Sequence, residues 1–287
     1  MKKTIIFFLL LSLIFGSCSK QYDGIIVPPM TEPQRVVDEM PAWSPDGNTI
    51  AYNHSGAVWL LDLKTMTKSF LTEGAIPTWS PDGSKIAYIN GGIYTIELST
   101  REITKLTDWL AYFPTWSPDG KKIAFDTNHN DPKGGNVIWT MNADGSNKKD
   151  ISVHGTGEWR EPAWSRDGSL ILHIRYIGIG LPEIFLMDTT GNNAVRLTYN
   201  SSDDTNPAWS YDGKYIAWGS GSGDYAGIWI MNAGGTDQHL LVRNGGHPTW
   251  SPDGKKIAFH MVDNSNRLIV LWVINSDGTG LQQLTEP

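Results

Sequence analysis

The chain has 287 residues, with 30 acidic and 23 basic side chains, so its formal net charge near neutral pH is −7. This balance argues against nucleic acid as a partner, because binding to phosphate groups needs a basic surface. Cys18 is the only cysteine, which excludes a disulfide within the chain and any metal site built from several cysteines.

The N-terminal residues have the pattern of an export signal. Basic residues 2–3 precede an apolar run at residues 5–15, which is shorter than the ~20 apolar residues that a membrane-spanning helix needs. Small residues then lead directly to Cys18, and this junction resembles a bacterial lipoprotein cleavage site. The resemblance implies a signal peptide over residues 1–17 and a palmitate-type lipid on Cys18. An ordinary secreted protein or an uncleaved anchor are the alternatives.

Residues 18–40 are predicted to form a tether between the lipid and the folded domain. They contain glycine and several prolines but few large apolar side chains. In the alternative interpretation, residues 35–38 add a strand to the domain. Ser19, which follows the cysteine, favours the outer membrane, with the domain facing the periplasm.

The strongest signal is an internal repeat, which predicts a solenoid or a propeller. The string Pro-x-Trp-Ser-x-Asp-Gly occurs six times. Its copies begin at Pro41, Pro77, Pro114, Pro162, Pro207 and Pro248. A second block of fifteen residues, with an aromatic residue in second place, follows in every repeat. These aromatic residues are Trp59, Tyr94, Trp139, Phe185, Trp229 and Trp272.

Each repeat is predicted to contain four antiparallel strands. Its Ser-x-Asp-Gly piece is typical of a tight turn, because serine and aspartate bond to nearby backbone and glycine accepts positive φ. Four short strands in roughly 40 residues indicate a propeller blade. The sequence therefore predicts an all-β, six-bladed propeller over residues 41–287, with the repeated tryptophans packed between blades. How the ring closes is left open, by an added outer strand or by packing alone.

The repeat resembles that of the TolB-type propeller family. The copies WSPDGNTIAY, WSPDGSKIAY and WSPDGKKIAF, each followed by an aromatic strand and most by a Leu-Thr ending, carry the resemblance. It implies the fold but not one function, since the same repeat occurs in peptidases and in uncharacterised envelope proteins. A serine peptidase is excluded, because the chain has no Gly-x-Ser-x-Gly motif.

Binding residues are expected in the connections that precede the first strand of a blade or follow its second strand, because loops on a rigid scaffold commonly carry function. The candidate partner-binding residues are Trp109, Tyr112, Trp159, Arg160, Asp203, Asp204 and His247. Together with a complete fold that carries no complete catalytic constellation, they predict a non-catalytic, protein-binding scaffold of the bacterial envelope, without a cofactor.

The alternative is a carbohydrate-binding or metal-dependent saccharide-processing propeller with a small ligand in its channel. Its motivation is a set of histidines predicted near the same face: His54, His129, His154, His247 and His260. They lie in different repeats without the close spacing of a metal motif, so no metal ligands are assigned.

Overall fold

A computed structural model of the protein describes residues 37–129, 135–152, 157–177, 180–221, 226–263 and 268–286. Over these residues the chain forms 24 strands in six sheets of four, and every sheet takes its strands consecutively from the sequence. This confirms the predicted all-β, six-bladed propeller. Cys18, the predicted signal peptide and most of the predicted tether lie outside the described residues. No helix of the described part is long and apolar enough to cross a membrane.

The four strands of each blade are called A to D in chain order. Strands A are β1 Asp38–Trp43, β5 Ala75–Trp79, β9 Tyr112–Trp116, β13 Trp159–Trp164, β17 Asp204–Trp209 and β21 Gly245–Trp250. Strands B are β2 Thr49–His54, β6 Lys85–Ile89, β10 Lys122–Thr127, β14 Leu170–Tyr176, β18 Tyr215–Ser220 and β22 Lys256–Asp263. Strands C are β3 Ala57–Asp62, β7 Ile93–Glu97, β11 Val137–Asn142, β15 Pro182–Asp188, β19 Gly227–Asn232 and β23 Leu268–Asn275. Strands D are β4 Lys68–Glu73, β8 Ile103–Lys105, β12 Lys149–Asp150, β16 Val195–Arg196, β20 His239–Arg243 and β24 Gln282–Gln283.

The A–B turns show why the Ser-x-Asp-Gly string recurs. In blade 2, Ser80 Oγ donates to Asp82 Oδ1 at 2.6 Å and accepts the backbone N–H of Lys85 at 2.9 Å. Gly83 adopts φ 73°, in the left-handed region that glycine accepts without steric cost. The hydrogen bond from Ser80 lowers the pKa of Asp82 below its ordinary value. The turn is therefore fixed by its own side chains.

The Leu-Thr ending of a repeat also has a structural role. Thr198 Oγ1 accepts the backbone N–H of Ile184 at 3.0 Å, where strand C lies beyond the end of the short strand D. Thr107 accepts the N–H of Ile93 in the same way at 2.8 Å. A buried backbone donor without a partner is costly, so the hydroxyl continues the sheet where the strand stops.

The repeated tryptophans pack between blades, as predicted. Trp116 shares a buried cluster with Ile93 of blade 2 and Ile123 of its own blade. Trp79 Nε1 crosses the joint and donates to the carbonyl oxygen of Ala42 in blade 1 at 3.0 Å. Such burial stabilises the joints by ~25 cal/mol per Å² of apolar surface.

The ring closes between blade 1 and blade 6. Ile50 and Tyr52 of blade 1 share a buried cluster with Leu271 of blade 6. Val37 adds a single parallel bridge to Ile269 of strand β23. Because each blade keeps its own four strands, packing closes the ring without an exchanged strand.

Candidate functional site

The connections of the propeller lie on two opposite faces. Strand A of every blade runs toward its Ser-x-Asp-Gly turn and strand B returns from it, so the six A–B turns share one face. We call this the turn face. The D–A and B–C connections lie on the other, which we call the loop face. All seven predicted binding residues belong to the D–A connections or to the first residues of strands A.

Every strand A contains a β-bulge directly before the proline of the repeat. In blade 4 the register with strand B shifts between Arg160 and Ala163, so that Glu161 and Pro162 together face His173. Equivalent shifts occur in the other five blades. The first bulge residue has a left-handed φ in every blade: Met40 54°, Ile76 53°, Phe113 48°, Glu161 55°, Asn206 53° and His247 52°.

These six bulge residues line a cavity inside the propeller. The cavity has a volume of about 300 Å³ and is bounded by residues from all six A strands, which places strands A innermost. Its wall also includes the repeated tryptophans and turn residues such as Pro45 and Arg166, so it extends from the bulges toward the turn face. A bulge redirects the side chain that it carries, and these bulges supply one side chain each to a common ring. We call these six residues the bulge ring.

The bulge ring has two chemically different halves. Blades 1 to 3 contribute apolar side chains, those of Met40, Ile76 and Phe113. Blades 4 to 6 contribute polar side chains, those of Glu161, Asn206 and His247. Of these six, only His247 is among the residues predicted as binding candidates. The residue before each proline differs between the repeats, so a comparison of the repeats for identical residues does not detect this position.

Two acidic side chains connect the bulges of blades 3 to 5. Asp126 is fully buried and accepts the backbone N–H of Glu161 at 3.1 Å and the amide of Asn136 at 2.6 Å. Glu161 Oε2 in turn accepts the backbone N–H of Asn206 at 2.5 Å. Burial raises the pKa of both carboxyl groups, and the hydrogen bonds oppose this shift only in part.

Arg160 and Asp203 belong to one group of charges at the loop face. Arg160 pairs with Glu158 at 2.5 Å, and its guanidinium lies 5.8 Å from the ring centre of Tyr176. Burial raises the pKa of Tyr176; the charge of Arg160 opposes the shift, and Glu158 and Asp203 add to it. The structure therefore brings these two predicted residues together around Tyr176. Tyr112 lies opposite Asp126 in the sheet of blade 3.

Trp159 is a packing residue rather than an accessible binding residue. Only 2% of its surface is exposed, and its ring stacks on His173 with the centroids 4.5 Å apart. The guanidinium of Arg175 covers the ring at 4.7 Å. The sequence places Trp159 at the start of strand A but does not reveal these partners. Its burial therefore argues against the predicted role of Trp159 in partner binding.

Asp204 is likewise buried, in contrast to its neighbour Asp203. Its side chain has no solvent exposure and accepts the amide of Asn200 at 2.7 Å. Burial raises its pKa. Asp204 therefore stabilises the connection before strand β17 instead of presenting a charge to a partner.

Trp109 is half-buried in the connection that precedes strand β9. Its ring stacks on His129 with the centroids 3.8 Å apart and the planes 9° apart. Lys148 Nζ lies 5.7 Å from the tryptophan ring. The next residue, Leu110, is 51% exposed. This connection presents an ordered aromatic and apolar edge on the loop face.

The histidines do not form a metal centre among the residues that the structure describes. His247 and His260 are neighbours, with ring centroids 4.8 Å apart. Burial lowers the pKa of His260 to about 4 and holds that of His247 well below its ordinary value. No group of three or more His, Cys, Asp or Glu side chains within the described ranges can hold a metal ion. His154 lies outside those ranges.

These features define the class of the protein as a six-bladed β-propeller whose innermost strands enclose a cavity with an apolar and a polar half. The chain belongs to the TolB β-propeller family. The profile described as the TolB beta propeller domain matches residues 18–179 and 162–287.

Individual relatives are distant. The Tol-Pal system protein TolB of Francisella tularensis is 27% identical over 130 residues, which are 41% of this chain and 30% of that protein. The match thus spans less than a third of the relative's length. The structure of a putative TolB from Agrobacterium tumefaciens has a TM-score of 0.67 at 21% identity, covering 78% of this chain and 86% of the other. An oligogalacturonate lyase in complex with manganese has a TM-score of 0.60 at 18% identity, covering 83% and 77%. At these identities the two structures share the fold alone.

Proposed function

We propose that the protein is a non-catalytic binding scaffold of the bacterial cell envelope and that it binds a protein partner through the loop face. The observation that carries this proposal is a set of large apolar side chains exposed in the loops of blades 3 to 5. Leu110 is 51% exposed, Ile177 46%, Leu181 43% and Tyr199 73%. Exposed apolar groups of this kind, next to arginine, mark protein interfaces.

Tyr199 is well suited to be an anchor residue. The guanidinium of Arg196 packs on its ring at 4.6 Å, and its hydroxyl donates to the carbonyl oxygen of the same residue at 3.1 Å. An aromatic side chain that is already ordered loses little entropy on binding. Arg160, with its side chain 38% exposed, supplies a charge on the same face.

The envelope location rests on the export pattern at the N-terminus and on the family. The matched relatives are Tol-Pal system proteins, and the junction before Cys18 resembles a lipoprotein cleavage site. We propose that Cys18 carries a lipid that holds the propeller at the membrane. Metabolic labelling with palmitate should mark the wild-type protein and not Cys18→Ala. A labelled Cys18→Ala protein would remove the anchor from the proposal.

The loop face is tested by capture of partners from cross-linked envelopes. The test variant is the double substitution Leu110→Asp/Tyr199→Asp. The matched control is Ile103→Asp/Val195→Asp, which changes two similarly exposed side chains (50% and 56%) on the outer D strands. A protein captured by the wild type and the control, but lost from the test variant, supports the proposal. The proposal fails if the test variant retains every protein that the wild type captures.

A further inference from the structure

We infer that the cavity of the bulge ring is a binding site for a primary amine that carries an apolar group. This site lies between the bulges and the turn face, and its wall contains neither Leu110 nor Tyr199, the exposed side chains that test partner binding at the loop face. A volume of about 300 Å³ corresponds to a small ligand pocket. The inference is independent of the binding function proposed for the loop face.

The polar half of the ring offers hydrogen-bond acceptors from three adjacent blades. Glu161 has a carboxylate, of which Oε2 accepts the N–H of Asn206. Asn206 adds its side-chain carbonyl. His247 is neutral, because burial and the nearby His260 hold its pKa well below the ordinary value, so one ring nitrogen can accept. An ammonium group has three N–H donors, which matches three acceptors.

The apolar half fits the carbon skeleton of such a ligand. Met40, Ile76 and Phe113 lie on three consecutive blades on the other side of the ring. Burial of an aliphatic or aromatic group against them is favourable in proportion to the apolar area removed from water. Methionine adapts its shape to an irregular partner, and an aromatic ring gives a flat contact surface.

Within the bulge ring Glu161 is the one acidic side chain and no lysine or arginine is present, which favours a cationic ligand at that end of the cavity. Among the described residues, the nearby Arg160 pairs with Glu158, and Arg166 at the turn-face rim packs on Tyr211 at 3.4 Å. Glu161 is half-buried and has no ion-pair partner among the described residues, and the charge of the nearby Arg160 lowers its pKa only in part. A buried carboxylate is stabilised by a paired positive charge, which the ammonium group of the ligand supplies.

The experiment uses the full chain and phenethylamine as the probe, with 2-phenylethanol as its neutral counterpart. Binding is followed by tryptophan fluorescence, because the six repeated tryptophans line the cavity, and is repeated by calorimetry. The test variant is Glu161→Gln, whose amide oxygen can still accept the N–H of Asn206. The matched control is Glu39→Gln, the same change at an acid that bonds to Asn53 at 2.9 Å and lies outside the cavity wall.

We expect saturable binding of phenethylamine to the wild type and to Glu39→Gln. The dissociation constant should rise at least about tenfold in Glu161→Gln, since a hydrogen bond to a charged group is lost. 2-Phenylethanol should bind more weakly than the amine by a similar factor. The loop-face variant Leu110→Asp/Tyr199→Asp should bind the amine like the wild type.

Two results would overturn the inference. One is the absence of saturable binding by the wild type up to about 10 mM phenethylamine, a concentration that still detects weak ligands. The other is an unchanged dissociation constant in Glu161→Gln, with a melting temperature that shows the variant is folded. Neither result bears on the partner captured through the loop face.

Discussion

The backbone N–H of Asn206 donates a 2.5 Å hydrogen bond to Oε2 of Glu161 and thereby joins the bulge of blade 5 to that of blade 4. The N–H of Glu161 donates in the same sense to Asp126 of blade 3. Bulge residues have unpaired backbone donors, and here the preceding blade supplies the acceptor. The joints between blades 3 and 4 and between blades 4 and 5 are thus connected by directed hydrogen bonds as well as by apolar contacts.

The protonation of Glu161 should make stability depend on pH. Burial raises its pKa from 4.5 to about 7, so the folded protein holds this proton more tightly than the unfolded chain. The stability gained from the proton is complete below pH 4.5 and is lost as pH rises through about 7. Glu161→Gln should therefore be more stable than the wild type by about 1–2 kcal/mol at pH 8. At pH 4 the difference should vanish, as measured by urea unfolding at both pH values. If Glu161→Gln and the wild type differed in unfolding free energy by the same amount at both pH values, the raised pKa would not belong to Glu161.

The serine of each A–B turn should contribute measurably to stability. Ser80→Ala removes a side chain that both donates to Asp82 and accepts from the backbone of Lys85. We expect the free energy of unfolding to fall by about 1–2 kcal/mol, because the N–H of Lys85 and the carboxylate of Asp82 each lose a hydrogen bond. Ser99→Ala, at an exposed serine, is the matched control and should change stability little. Equal losses of unfolding free energy in the two variants would show that the hydrogen bonds of the turn do not contribute to stability.

Trp159 and Trp109 should respond differently to truncation. Trp159→Ala removes a ring that is 2% exposed and stacks on His173, so stability should fall by about 3–5 kcal/mol. Trp109→Ala removes a half-buried ring and should cost clearly less. Thermal unfolding of both variants makes the comparison. A larger loss in Trp109→Ala would overturn the distinction between a packing tryptophan and a surface one.

The hydroxyl of Thr198 should be needed for the sheet of blade 4. Thr198→Val keeps the shape of the side chain but leaves the N–H of Ile184 without its acceptor. We expect a loss of about 1–3 kcal/mol in the free energy of unfolding. Thr104→Val, on the exposed strand β8, is the matched control, where valine suits a strand as well as threonine does. Hydrogen exchange at Ile184 should quicken in the first variant and stay slow in the second.

The repeats were sufficient to predict the fold and the order of its elements. Each repeat carries a turn whose residues bond to one another, as Ser80 and Asp82 do in blade 2. Such local interactions can be recognised as a sequence motif because the interacting residues are neighbours in the chain. Ring closure depends on contacts between residues far apart, such as Tyr52 and Leu271, and the sequence left it open.

The candidate site was predicted only in part. The sequence indicated that Arg160 and Asp203 lie in loops of one face, and the structure places both in the charged group around Tyr176. It did not distinguish Trp159 from Trp109, because burial depends on partners such as His173 that lie elsewhere in the chain. The bulge ring escaped notice because its six positions share a backbone conformation, not a residue type.

The way the ring closes has a consequence for chain connectivity. No strand is exchanged between blade 1 and blade 6, so their joint is built like the other five. The chain termini can therefore be moved to another joint without changing the strands of any sheet. A circular permutant that joins residue 286 to residue 37 and opens at the connection between β20 and β21 would keep every four-stranded sheet intact. Such a protein should fold into the same six blades.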